Sequence, residues 1–166
     1  MLKLPKDVVA DPRHDAVASL LATSSELLWE GGRHKVATLP PTGVLFGELR
    51  GALAAGLACQ GLELIADKLA AEQKGLDAAR AKAQDGPQNA RASRILFLAD
   101  DGSTRFYRDC EALVSRYPDR LLACRLKIAG EALGEALFGS PKLVRSVLVL
   151  DKKVAAKTLL ALLSPG

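Results

Sequence analysis

Aromatic side chains make up only 4% of this 166-residue chain, which also holds just three cysteines and two histidines. Each shortage excludes something. With one Trp, two Tyr and four Phe, a core must be assembled from Leu, Ala and Val. Cys59, Cys110 and Cys124 are odd in number, widely spaced and without a CxxC pair. That argues against a disulfide framework or a structural zinc and fits a reducing compartment. No apolar run reaches the roughly 18 residues that would span a bilayer, so no membrane partner is expected. The leading "MLKLPKDVVADPRHD" lacks the hydrophobic segment of a secretory signal and the Arg-rich, acid-poor balance of a transit peptide. The expectation is a soluble intracellular protein of the cytoplasm.

Catalytic signatures are equally scarce. His14 and His34 lie in charged, turn-like settings, and no HExxH, GxSxG, Walker A or GxGxxG pattern accompanies them. Both read as surface residues. "LADDGS" (98–103) places Asp100 and Asp101 after an apolar run, where α/β enzymes hold metals or phosphoryl groups. With no second carboxylate cluster, they read as turn residues capping the next helix, Gly102 supplying an unusual φ. The chain is therefore expected to be no enzyme, with no metal and no cofactor.

Nearly half of the chain is hydrophobic and a quarter charged, with a net charge of +4. Residues 1–48 hold five Lys/Arg against six Asp/Glu, and residues 49–166 hold 18 against 13. The basic character thus belongs to the larger C-terminal part, which suits an acidic partner such as RNA. Asp11 as N-cap and Pro12 at the first helical position start a helix that runs to Gly31-Gly32. Pro40-Pro41 forbid helix, and Val36–Leu39 could be extended. From Leu45 to about Glu72 the spacing is helical, with Gly47, Gly51, Gly56 and Gly61 as interruptions. "AEQKGLDAARAKAQDG" (71–86) raises the sharpest question, because Lys74-Gly75 interrupts helix-favouring residues that resume over about 76–84. The pair is either a C-cap with a solvated lysine, or a hinged helix start whose free N–H groups and cations Arg80 and Lys82 face an anion. "DGPQNARAS" (85–93) is a loop by composition. Strands follow at 94–100, 119–126 and 143–150, alternating with helices from about Ser103 to Tyr117, over 129–139 and over 151–163. The predicted fold is α/β: a three-layer α/β/α sandwich with a small central sheet over 49–166 and an N-terminal helical extension, 1–48.

A helix, a Lys-Gly break, a second helix and a strand ending in an acidic turn resemble the ribosomal L-seven-Ae superfamily of kink-turn-binding ribosomal, snoRNP and RNase P proteins. "QKGLDAARAKA" is similar to its "KG-x-N-E" helix start and "RILFLADDGS" to its "LVVIAEDVDP" strand. "AGEALGEALFG" resembles its "K-E-E-L-G" helix, and "LVRSVLVLDKKVAAKTLLALL" its closing strand and helix. The resemblance covers about 49–163 and implies a non-catalytic, RNA-binding component of a ribonucleoprotein that contacts structured RNA. It implies one contact loop at Lys74, Gly75, Leu76, Asp77 and Ala78, with Arg80 and Lys82 nearby. A second falls near Pro141, Lys142, Leu143, Val144 and Arg145. Asp77-Ala78 replace the family's Asn-Glu, so an ionised acceptor that repels phosphate stands where the family reads sheared G·A pairs. An alternative is a protein-interaction scaffold that retains the fold and has lost kink-turn recognition, docking through the extension with its single Trp29. Gathering of Lys74, Arg80, Lys82, Lys142 and Arg145 on one surface would favour RNA, and dispersal the protein-only role. Either way, proteins of the same particle are expected to meet residues 1–48.

Overall fold

The computed structural model describes residues 2–83 and 90–165, with backbone alone at 82 and 83. Its centre is one six-stranded sheet built from β1 (Ser25–Leu27), β2 (Lys35–Leu39), β3 (Ala58–Gln60), β4 (Arg94–Leu98), β5 (Leu121–Leu126) and β6 (Ser146–Val149). The order across it is β1-β2-β5-β4-β6-β3. Strands β2, β5 and β4 are parallel, whereas β1, on β2, and β6, between β4 and β3, run antiparallel to their neighbours.

The strands read as continuous apolar runs because both faces are covered. Ile95, Phe97, Cys124, Leu126, Val147 and Val149 enter a core with α3 (Gly43–Ala54), α6 (Gly130–Phe138) and α7 (Lys152–Ala161), joined by Val8 and Val17 of α1 (Lys6–Val9) and α2 (His14–Thr23). Leu96, Leu98, Leu121, Ala123 and Leu148 point the other way, onto Ile65 and Leu69 of α4 (Leu62–Ala83) and Cys110 of α5 (Thr104–Arg116). The fold is a three-layer α/β/α sandwich.

Local chemistry sets several boundaries. Thr42 Oγ1 accepts from the Leu45 N–H at 3.0 Å and donates to the Ala161 carbonyl at 2.8 Å, so one buried hydroxyl caps α3 and ties it to α7. Ser103 caps α5, Asp151 caps α7, and Gly139 closes α6 at φ 69°.

Three expectations are corrected. The first helix stops at Thr23, not at Gly31: the Thr23, Ser24 and Ser25 hydroxyls bond back to carbonyls of its last turn, and Ser25–Leu27 leaves as a strand. Residues 45–72 hold two helices with β3 between them, where Gly56 (φ 76°) and Gly61 (φ 94°) turn the chain into and out of the edge strand. Gly47 and Gly51, read as interruptions, lie inside α3. Residues 84–86 of the opening stretch and 85–89 of the predicted loop fall wholly or partly outside the described residues. Residues 25–39, read as part of an extension, supply two strands of the same sheet.

Candidate nucleic-acid interface

Helix α4 does not break at Lys74-Gly75. It runs unbroken for 22 residues, about 33 Å at 1.5 Å per residue. Gln73 Nε2 donates to Asp77 Oδ1 at 3.0 Å, a bridge of one helical turn across the glycine. Helix formers on both sides offset the roughly 1 kcal/mol that Gly75 costs. The N–H groups of 75–78 are therefore spent inside the helix, and neither the C-cap nor the hinged start exists there. The helix begins after Gly61, whose N–H donates to the Ser146 carbonyl at 3.2 Å, at the carboxyl end of the parallel strands. Ten residues on, Glu72 meets Arg94 at 3.0 Å and Arg120 at 2.6 Å, beside the starts of β4 and β5. Beyond that amino end the helix overruns the sheet, and Lys74, Gly75, Leu76, Asp77, Ala78 and Arg80 are all exposed. The Lys82 side chain lies outside the described residues.

The second predicted loop sits at the opposite, carboxyl end. Gly130 and Gly134 let it lie directly on α6: a Cβ on Gly134 would fall 1.4 Å from the Lys142 carbonyl oxygen. The Val144 N–H donates to the Gly130 carbonyl at 3.0 Å. Val144 is a core residue at 1% exposure, so its side chain cannot meet RNA, whereas Leu143 is 52% exposed. Arg145 Nε lies 3.3 Å from Asp101 Oδ1, which also accepts the Gly130 N–H at 3.0 Å. Burial works to raise the Asp101 carboxyl, but the Gly130 N–H and Arg145 outweigh it and hold the group below its ordinary value. Asp101 thus caps α6, not the helix that follows it. Nor does Gly102 supply an unusual φ: it is needed because a Cβ there would lie 2.4 Å from Phe106. Lys142 stacks 4.3 Å over the Phe138 ring. The two predicted contact loops are at opposite ends of the sheet and do not form one surface.

No protein-family model matches the chain, and no curated protein matches it. The site is therefore argued from geometry alone.

Positive charge does gather, but at residues the sequence reading passed over. A cleft of about 440 Å³ at the amino end is lined by Lys6 of α1, Arg91 and Ser93 before β4, and Lys152 and Lys153 of α7, with Asp7 and Asp151 on its wall. Lys3 and Arg91 pair as a short parallel bridge that holds the N-terminal segment against residues 90–92. Lys74 and Arg80 project from this same end. Nothing local in the sequence marks the cluster, because its members come from three distant segments.

A second region joins the N-terminal strands to α5. Glu111 accepts the Arg33 and His34 N–H groups, each at 2.9 Å, and Trp29 Nε1 at 3.3 Å. His34 Nε2 lies 2.7 Å from Ser115 Oγ, so a hydroxyl is next to the histidine after all. The pair lacks the third member of a nucleophilic set, since the Glu111 oxygens bond backbone and indole instead of the ring Nδ1. It latches the β1–β2 hairpin. Beside it an apolar groove of about 620 Å³ runs between Leu2, Leu4, Leu21, Val36 and Leu122. Among the described residues, no three His, Cys, Asp or Glu side chains are placed to hold a metal, and no helix is long and apolar enough to cross a membrane.

Proposed function

We propose that the protein is a non-catalytic RNA-binding component of a cytoplasmic ribonucleoprotein, related to the L-seven-Ae superfamily and contacting RNA through its basic amino end. The observation that carries this reading is the placement of Lys6, Arg91, Lys152 and Lys153 around one cleft, at the end from which Lys74 and Arg80 project. The order of elements from α4 to α7, helix and strand in alternation, supports the superfamily reading. Kink-turn recognition through 74–78 finds no support, because those backbone donors are inside a continuous helix. Contacts of this kind are to backbone and shape. Structured RNA should bind with an affinity that falls by roughly 0.7–0.9 log units per log unit of salt for each phosphate neutralised. Titration of a labelled RNA hairpin at several salt concentrations checks this. Absence of binding at low salt, or affinity indifferent to salt, would sink the proposal.

A second reading is the protein-interaction scaffold. The separation of the two predicted loops and the apolar groove beside the N-terminal strands favour it. Under it the purified protein retains a protein partner, and no RNA, through a high-salt wash of a native extract.

A further inference from the structure

We infer that the cleft between α1, residues 91–93 and the start of α7 is a seat for a backbone phosphate of RNA, an inference that rests on the RNA-binding reading above. Three segments far apart in sequence bring Lys6, Arg91, Lys152 and Lys153 to one concavity of about 440 Å³. Pro5 and Ala92 are buried beneath it, so low-dielectric walls concentrate the field of the four cations instead of letting water spread it. The acids do not cancel that field. Asp151 Oδ2 accepts the Lys153 and Val154 N–H groups, both at 3.0 Å, so its charge is turned onto its own helix. Asp7 is the remaining acid of the wall. Arg91 is pre-positioned: its Nη1 donates to the Leu4 carbonyl at 2.7 Å, and its other guanidinium donors make no hydrogen bond among the described residues.

The cation types also choose the ligand. Lysines are point charges without the planar fork that reads base edges or grips a carboxylate in register, and three of the four cations are lysines. Their exposure leaves the cleft accessible to a strand passing along the surface. A phosphodiester fits: one compact anion enters the cleft while sugar and base stay outside. Binding should then be indifferent to base sequence.

The test compares the full-length protein with K6Q/K152Q/K153Q, whose three changes lie on exposed side chains, and with K142Q at the opposite end as control. Each protein is titrated with a short single-stranded RNA over a range of salt, and separately with inorganic pyrophosphate while backbone amides are followed by NMR. Expected is a loss of about ten-fold or more in RNA affinity for the triple variant, with a salt slope shallower by about 2, at about 0.7 per phosphate contact on a single strand. K142Q should bind as wild type does. Pyrophosphate should shift the amides of Arg91–Ser93 and Lys152–Val154 in the wild type and not in the triple variant. A triple variant with wild-type affinity and slope overturns the cleft and leaves the RNA reading standing. Pyrophosphate shifts without RNA binding overturn the RNA reading and keep a site for a small free phosphate. Neither response overturns both.

Discussion

Glu111 shows how much one side chain can organise. Its carboxylate holds three donors of the 29–34 hairpin, while Arg108 from the same helix stacks over the Trp29 ring at 5.5 Å. Burial pushes its carboxyl up, but the His34 and Arg33 N–H groups and the Trp29 indole together hold it below the ordinary value. A depressed carboxyl stabilises the fold above its unfolded value, and that contribution is lost as pH falls through the folded value. Glu111→Ala should therefore cost about 1–2 kcal/mol at neutral pH, the scale of a few hydrogen bonds to a charged, partly exposed acceptor. Urea unfolding across pH should show the gap between wild type and variant closing in acid. A gap that persists below the carboxylate range would assign the cost to packing.

At the scale of elements, two glycines in helices make opposite predictions. Gly75 faces open space, so Gly75→Ala should simply favour the helix by about 1 kcal/mol. Hydrogen exchange of residues 75–81 should slow by about five-fold, whereas a hinge would resist the change or lose function by it. Gly134→Ala must displace the Lys142 carbonyl and with it the 140–145 loop; denaturant unfolding should register a loss of about 3 kcal/mol. Helix α4 is held to the sheet by Glu72 as well as by Ile65 and Leu69. Arg120 is 8% exposed, donates to the Leu69 carbonyl at 2.9 Å and lies 5.0 Å over Tyr117, and its Nε has no partner among the described residues. Glu72→Ala should cost about 3 kcal/mol by leaving that guanidinium buried without its carboxylate. A loss below about 1 kcal/mol in equilibrium unfolding would mean that the ion pair is incidental to α4's anchoring.

The whole molecule can be probed through its three thiols. Burial raises all of them, Cys110 and Cys124 to about 12. Only Cys59, on the edge strand, is partly open to solvent. A disulfide reagent should label Cys59 in the folded protein, and Cys110 and Cys124 only at the rate of global opening. Fast labelling of all three thiols would contradict the closed three-layer core.

Much of the C-terminal half was legible from residues alone. The apolar runs of β4, β5 and β6, the Ser103 cap, the Asp151 start and the Gly139 stop are signals carried within single segments, and the structure puts each in place. Three things were not. β3 is three residues long, too short to show a period of two against helical neighbours, and exists because β6 offers it an edge. The serines after α2 bond backward only because β2 is there to receive Ser25–Leu27. Lys74-Gly75 resembled a helix start, yet α4 continues, since its first three turns are already fixed on the sheet and extension from a formed helix costs little. Periodicity, caps and charge balance are local, so the sequence by itself determined the class of fold and most of its later elements. Which strands pair, which end of the sheet each lysine reaches, and that Lys142 and Arg145 stand apart from Lys74 and Arg80 depend on contacts between distant segments, and only the tertiary structure decided them.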